Sequence, residues 1–257
     1  MKALLKFELR KLIRNKAFYI CLGICLLLMI INAITAKVLA DVMKQAMEEI
    51  GQNYEPSENA LTLMKTVFNN NTPLILGVVV SLVVCEDFAG DIIKNIYSKG
   101  YSRNQVYFAK LISSLIAFLA ILLIGMIVLF LTGLILFGKI GTPGKNYALS
   151  VICIVLVALS YFAIYFSLGM IFKKIAPSIV LSILGPTIIM LLFAMVDAFI
   201  KTDKIVVSDY WISGLVTDLS YVDVENKTII ASFIVPFIVI GVFITLSFIL
   251  NNKKDAK

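Results

Sequence analysis

Long apolar runs alternate with shorter polar and charged stretches along the whole of this 257-residue chain. A helix of about 20 apolar residues crosses the hydrocarbon core of a bilayer, so the pattern predicts six membrane-spanning helices. Their predicted bounds are residues 17–40, 73–85, 106–137, 147–172, 177–199 and 228–250. The second run is short for a span unless its helix begins before Pro73 or continues past Glu86. The predicted fold class is an all-α polytopic membrane protein, with residues 1–257 forming one transmembrane domain.

Residues 2–16 precede the first apolar run and have the spacing of an amphipathic helix. Its apolar stripe consists of Leu5, Leu9, Leu12 and Ile13, and the basic residues Lys6, Arg10 and Arg14 lie on the other side. Such a helix is typical of a segment that lies on the headgroups of an anionic leaflet. We therefore predict an interfacial helix with Leu5, Leu9, Arg10, Leu12 and Arg14 as its key residues. The alternative is a basic flank that only orients the first span.

The stretch between the second and third apolar runs, residues 86–110, is charged, aromatic and basic overall. Charges are costly in hydrocarbon, so this stretch must lie in water or among the headgroups. Its apolar residues recur at helical spacing, and they are Phe88, Ile92, Ile93, Ile96 and Tyr97. We predict a short amphipathic helix within residues 86–105, which can serve as a docking surface for a soluble partner.

Basic residues are distributed unevenly over the segments that join the apolar runs. Fifteen of the 23 lysines and arginines lie in the N-terminal segment, in residues 86–110, at 173–174 and in the C-terminal tail. Because basic loops stay inside, both termini and residues 86–110 are predicted to be cytoplasmic. Residues 41–72 and 200–227 are then external. Tyr210 and Trp211 suit either a membrane interface or a short re-entrant helix pair, with an ordinary loop as the alternative.

The composition is that of a membrane protein without catalytic chemistry of its own. The chain is 60% hydrophobic with a mean hydropathy of +0.98, and 15% of its residues are charged, against roughly 25% in soluble proteins. Its net charge of +7 comes from residues at the ends of apolar runs, so we predict no nucleic-acid partner. The chain has no histidine, and its cysteines all fall in or beside apolar runs: Cys21, Cys25, Cys85 and Cys153. This favours buried thiols over a metal site and excludes histidine-based nucleophile pairs, so we predict no catalytic residue and no cofactor.

No acidic or basic residue lies near the middle of any predicted span. Ion-driven carriers generally need such groups at that depth, so energy for transport must come from a partner. Proline interrupts the fifth span at Pro186 and the sixth at Pro236, where it removes a backbone hydrogen bond and clashes with the preceding turn. Gly185 and Pro186 are predicted to break the fifth span and form a candidate hinge, although proline also occurs in membrane helices that do not move.

The basic N-terminus, the six spans, the charged first cytoplasmic loop and the proline in the fifth span resemble the permease subunits of bacterial ABC exporters of the second type. The most specific part of the resemblance lies in that loop. It comprises Glu86-Asp87-Phe88, Ile93-Lys94-Asn95-Ile96, Tyr101-Ser102-Arg103, Tyr107 and Lys110. Members of that family often have a glycine about three residues past the aromatic, whereas this chain has Asp91 there and a glycine one residue earlier.

The resemblance implies a multi-pass protein of the bacterial cytoplasmic membrane that exports a substrate. Such permeases form homodimers or pair with a sister permease, and they bind cytoplasmic ABC ATPases that hold ATP and Mg²⁺. The interfacial helix and the first cytoplasmic loop make that contact, which implies a coupling segment of Glu86, Asp87, Phe88, Ile92, Lys94 and Arg103. Small permeases with short external loops often export peptides such as bacteriocins or provide resistance to antimicrobial peptides.

Two other functions are compatible with the sequence. One is the substrate-binding membrane component of a small-molecule importer, which would not need the basic N-terminal helix. The other is a standalone membrane immunity protein that acts by sequestration. A neighbouring gene for a soluble protein with a Walker A loop would favour the exporter.

Overall fold

The computed structural model describes residues 1–51, 58–68, 71–89, 92–200 and 206–253. Every regular element in those ranges is helical, which confirms the predicted all-α class. The α-helices are α1 (Lys2–Arg14), α2 (Lys16–Glu49), α3 (Ala60–Lys65), α4 (Thr72–Ala89), α5 (Ile92–Ser98), α6 (Arg103–Phe137), α7 (Tyr147–Phe172), α8 (Ile175–Ile200), α9 (Ile212–Leu219) and α10 (Asn226–Lys253). Asp91 and the last four residues of the predicted cytoplasmic tail lie outside the described residues.

Within the described ranges, five helices are long and apolar enough to cross a membrane, namely α2, α6, α7, α8 and α10. Their bounds contain the predicted runs, and α7 coincides with the predicted residues 147–172. The short second run becomes α4, which pairs with the helical segment Ala60–Phe68 across a bend of 46°. The predicted number of six spans is therefore reached when this bent pair counts as one span.

Part of the predicted external segment 41–72 lies inside the helical body. The helix α2 continues to Glu49, and residues 60–68 form α3 and a 3₁₀ turn whose Ala60, Leu63 and Phe68 are buried. Gly133 of α6 permits this packing, because a Cβ there would lie 2.7 Å from the Cα of Ala60. This short segment thus becomes buried through its contact with α6.

The core is organised around α7, which packs against α4, α8, α9 and α10. In its most apolar stretch 67% of residues are buried, against 11% in α8 and 17% in both α2 and α10. Ser167 of α7 donates to the carbonyl of Phe243 in α10 at 2.8 Å, so the contact between these two helices is polar as well as apolar. The wide apolar surfaces of α2, α8 and α10 are left for lipid or for another subunit.

The segment before α10 is a short buried helix. Residues 201–205 lie outside the described residues, Val207–Tyr210 form a 3₁₀ turn, and α9 follows. In α9, Ile212, Leu215 and Leu219 are buried against α7 and α10. Residues 212–219 of the predicted external segment 200–227 are therefore a packed helix.

The prolines do not break their helices. The helix α8 runs through Gly185 and Pro186 without interruption, and α10 does the same through Pro236. The predicted break in the fifth span is therefore wrong, and the hinge at that position stays a prediction. Membrane helices tolerate proline because side chains and neighbouring helices satisfy the freed backbone groups.

Candidate functional site: an ionic cluster joining α1, α4 and α6

The turn from α1 into α2 is anchored on the end of α4. Asn15 adopts an extended conformation between the two helices, and its side chain accepts a hydrogen bond from the amide of Ala17 at 2.9 Å. Asparagine is a favourable N-cap for this reason. Its amide nitrogen also donates to Glu86 Oε2 at 3.1 Å. The first turn of α2 and the last turn of α4 are therefore held together at this point.

Five charged residues meet beside this turn in what we call the ionic cluster: Glu8, Lys11, Glu86, Asp87 and Lys110. Asp87 lies at its centre with a fully buried side chain, and one carboxylate oxygen pairs with Lys11 while the other accepts from Lys110 Nζ at 2.5 Å. Lys11 also lies 3.0 Å from Glu86, and Lys110 lies 3.7 Å from Glu8. The ionic cluster thus joins three helices that are distant in sequence.

Burial sets the electrostatics of the ionic cluster. It raises the pKa of Glu8 above its ordinary value, although the charge of Lys110 opposes that shift. Burial alone would lower the pKa of Lys11, but its hydrogen bonds to Asp87 and Glu86 outweigh this effect and raise that pKa. Glu8 Oε1 is buried without a hydrogen-bond partner. The Glu8 carboxyl is therefore the least satisfied member of the ionic cluster.

The inner face of α1 differs from the predicted apolar stripe. Its buried residues are Leu4, Glu8 and Leu12, one turn apart, and they face α6. Leu5 and Leu9 are half-buried, Ile13 is 65% exposed, and the basic residues Arg10 and Arg14 are exposed. Of the predicted stripe, only Leu12 belongs to the buried face, because α1 is rotated to bring Glu8 and Lys11 to the charges on α4 and α6.

Phe88 lies between two lysines. The Nζ atom of Lys110 lies 5.5 Å from the centre of its ring, and that of Lys173 lies 5.6 Å from it. Lys173 follows α7 with φ of 54°, a left-handed conformation that is uncommon for residues other than glycine. These cation–π contacts connect the α7–α8 turn to the ionic cluster. Phe88 is half-buried within its own chain, where we had predicted a docking surface.

The residues of the amphipathic helix predicted within 86–105 belong to separate described helices, with residues 90–91 outside the described ranges. Glu86, Asp87 and Phe88 form the last turn of α4, and α5 begins at Ile92. The apolar side of α5 is turned inward, since a small core contains Leu4, Ile93, Ile96, Val106 and Ala109, with Ile92 and Tyr97 packed against it. The prediction placed Asp87 on the surface that contacts a partner. In the structure its side chain is buried in the ionic cluster and its charge faces lysines of its own chain.

The remaining predicted residues of the coupling segment are accessible. The Glu86 side chain is 43% exposed, Lys94 is exposed, and Ile92 and Arg103 are half-buried. They lie at one end of the helical body, together with α1, the α7–α8 turn and the end of α10, and we call this the basic end. Tyr107 connects α6 to α10 there, through a hydrogen bond of 3.1 Å to the carbonyl of Ile244.

Sequence reasoning missed Glu8 and Lys11 as functional residues. A signal for Glu8 was present, because it stands between Leu4 and Leu12 at four-residue spacing and is the one acidic residue of the N-terminal helix. Lys110 was noted as part of a motif, and its position two turns inside a long apolar helix indicates a buried partner. Which carboxylate each lysine meets depends on the packing of α1, α4 and α6, which the sequence pattern does not reveal.

The ionic cluster can transmit displacement among the three helices. Removing one partner of a buried ion pair typically costs about 3–5 kcal/mol, because the other charge is left buried and unpaired. The helices α1, α4 and α6 therefore resist separation at this point.

Comparison with known proteins gives one family. Residues 4–189, about seven tenths of the chain, match the family described as ABC-2 family transporter protein. The matched region includes most of α1, the ionic cluster and the helices up to the middle of α8. No curated protein and no solved structure matches the chain.

Proposed function

The chain belongs to the ABC-2 family of transporter proteins, and from that premise we propose that it is the permease subunit of a bacterial exporter driven by a separate ATPase. Family membership makes it a multi-pass membrane subunit of an ABC transporter and implies an ATPase partner. The outward direction and a peptide or amphipathic substrate are the finer parts of the proposal. Both termini and the basic end lie in the cytoplasm in this proposal, in keeping with the excess of basic residues there.

The observation that carries the proposal is the ionic cluster beneath an accessible α5. The exposed edge that includes Glu86 and Lys94 would contact the ATPase, with Ile92 and Arg103 at its margin. Asp87 and Phe88 act as positioning residues, since their contacts are to lysines of their own chain. Movement of the ATPase against α5 then reaches α4 and α6 without slack, because only a few residues separate these helices.

The apolar faces of α2 and α8 support a second permease subunit and a lipid environment. Leu191 and Phe199 in α8 are 64% and 87% exposed, and α2 exposes Ile20 and Leu27 to more than half. Such continuous apolar surfaces mark contact with lipid or protein. We propose a homodimer or a heterodimer with a sister permease, surrounded by membrane lipids.

A peptide or amphipathic substrate is consistent with the apolar character of the helical body. A cavity of about 70 Å³ lies between α4, α7, α8 and α9, and its lining includes Tyr161, Tyr165, Ser182 and Pro186. This cavity is far smaller than the roughly 300–1,000 Å³ of typical ligand pockets, so the substrate class rests on the family resemblance and not on this cavity. Export of bacteriocin-like or antimicrobial peptides, or resistance to them, is the form of this function that we propose.

Purification in mild detergent from the native membrane tests the partner. We expect a stoichiometric ATPase with a Walker A loop to co-purify and to crosslink to a Lys94→Cys variant. Lys139→Cys is the matched control, because Lys139 is an exposed lysine in the α6–α7 connection, remote from α5. Recovery of the permease without an ATPase would contradict the exporter and favour the immunity protein.

Direction of transport is tested separately in inside-out vesicles. We expect ATP to drive a fluorescent amphipathic peptide into these vesicles, whose interior corresponds to the outside of the cell. ATP-driven accumulation in right-side-out cells, with none in inside-out vesicles, would favour the importer component instead.

A further inference from the structure

The outer face of α1 forms an open groove that no other described helix covers. Its floor is the apolar row Leu5, Leu9 and Ile13, and its edge is the basic row Lys6, Arg10 and Arg14. The groove has a volume of about 430 Å³, and its basic side chains are all exposed. This surface is opposite to the face that carries Glu8 and Leu12 into the protein.

The positive charge of this groove is not balanced by any carboxylate among the described residues. In the described residues, no carboxylate forms an ion pair with Lys6, Arg10 or Arg14. Glu8 is the one acidic residue of α1, and it is 3% exposed and faces Lys110. Three cations one turn apart beside an apolar row therefore remain available to anions from outside the chain.

The position of the groove identifies the class of anion. Asn15 alone separates α1 from α2, whose apolar residues Tyr19, Ile20 and Ile24 are at least half exposed. Because α2 is long and apolar enough to lie in the hydrocarbon, its first turn marks the level of the headgroups. At that level the basic row of α1 would meet lipid phosphates, and the apolar row would meet the acyl chains.

We propose that this groove binds anionic phospholipids and that the bound lipid holds α1 in place against the ionic cluster. Lipid phosphates would be held by Arg10 and Arg14, whose planar guanidinium groups can bond two phosphate oxygens at once. The acyl chains would run along Leu9 and Ile13 toward the exposed face of α2. A soluble protein is the other conceivable occupant, but the continuity of the apolar row with the lipid-facing side of α2 favours lipid.

Lipid binding on the outer face has a consequence for the inner face. The residues Glu8, Lys11 and Leu12 are on the same three-turn helix as the groove, so fixing one face fixes the other. Anionic lipid would thus stabilise the ion pairs of Lys11 with Glu86 and Asp87. The inference rests on the membrane location of the chain and not on the proposed ATPase or substrate.

Native mass spectrometry of the delipidated permease tests this site. Dioleoyl phosphatidylglycerol is titrated onto the protein alone, with dioleoyl phosphatidylcholine as the neutral comparison. The test variant is Lys6→Gln/Arg10→Gln/Arg14→Gln, and the control is Lys99→Gln/Lys174→Gln/Lys253→Gln, which removes three exposed lysines elsewhere at the basic end. Each basic residue near an anionic lipid surface contributes roughly fivefold to binding, so the test variant should bind phosphatidylglycerol on the order of 100-fold more weakly.

The control should bind phosphatidylglycerol like the wild type, and raising the salt to about 1 M should weaken wild-type binding. Thermal melting in detergent checks that both variants are folded, and phosphatidylglycerol should raise the melting temperature of the wild type and of the control only.

Equal phosphatidylglycerol binding by the two variants, or equally tight binding of phosphatidylcholine, would overturn the proposal. So would a test variant that keeps its lipid but loses a co-purifying protein, because the groove would then belong to that partner. Absence of any ATPase partner leaves these lipid results unchanged.

Discussion

At the scale of single residues, Glu8 faces Lys110 and Asp87 in a space that is closed to water. The ionic cluster contains three carboxylates and two lysines, so it carries one excess negative charge when all five groups are ionised. A proton on Glu8 would neutralise the ionic cluster. That balance agrees with the raised pKa of Glu8, whose first cause is burial.

Replacing Glu8 with glutamine should change how stability depends on pH. Because folding raises the pKa of Glu8, its protonated form favours the folded state at low pH, and this contribution is lost as the pH rises from about 4.5 through the raised pKa. The melting temperature of the wild type in detergent should therefore fall over that window relative to Glu8→Gln. We expect Glu8→Gln to be at least as stable as the wild type above the window.

Glu48→Gln provides the comparison for this measurement, since Glu48 is 56% exposed and pairs with Lys44 within α2. Exposed ion pairs contribute about 0–1 kcal/mol to stability. The melting temperature of Glu48→Gln should therefore depend on pH in the same way as that of the wild type. A Glu8→Gln profile parallel to that of the wild type between pH 4 and 9 would show that Glu8 does not titrate within the ionic cluster.

At the scale of helices, long apolar runs were predictable and short segments were not. The bounds of α7 were predicted to the residue, because a run of this length can bury its backbone hydrogen bonds only as a helix. The α3 segment has only six residues, too few to predict as a span, and its burial depends on the close approach that Gly133 allows in α6. The apolar spacing of α1 predicted a helix, but Glu8 selects which of its faces is turned inward.

The candidate hinge in α8 can be tested without disturbing packing. A Cβ added at Gly185 would meet no other atom within 4 Å, so Gly185→Ala should fold normally. Alanine within a helix is about 0.5–1 kcal/mol more favourable than glycine because it has less backbone freedom. The Gly185→Ala substitution should therefore stiffen the turn before Pro186. If this turn flexes during transport, Gly185→Ala should slow ATP-driven peptide transport in proteoliposomes several-fold while the melting temperature stays the same or rises.

The matched control for the hinge is Gly23→Ala in α2, where an added Cβ also meets nothing within 4 Å. This variant carries the same chemical change in a helix without proline nearby, and its transport rate should equal that of the wild type. Equal rates for Gly185→Ala, Gly23→Ala and the wild type would show that α8 moves, if at all, as a rigid rod.

At the scale of the whole molecule, contacts define two ends. At the basic end, the ionic cluster and the Phe88–Lys173 contact gather α1, the α4–α6 connection and the α7–α8 turn. At the other end, Lys65 donates to the carbonyl of Tyr221, and the amide of Lys145 donates to Asp223 at 3.1 Å. The distribution of basic residues anticipated this division, because segments predicted to share a side of the membrane are the ones that contact each other.

The orientation of these two ends in the membrane gives a prediction for the entire fold. Single cysteines are placed at Lys99 or Lys139, two exposed lysines from opposite ends, in a chain whose four native cysteines are replaced. Since basic segments are retained in the cytoplasm, an impermeant maleimide added to intact cells should label Lys139→Cys and leave Lys99→Cys unmodified until the membrane is permeabilised. The two positions carry the same native side chain, so a difference in labelling reports the side of the membrane and not the local chemistry. Labelling of Lys99→Cys in intact cells would invert the topology, place the ionic cluster outside, and remove the α5 surface from the reach of any cytoplasmic ATPase.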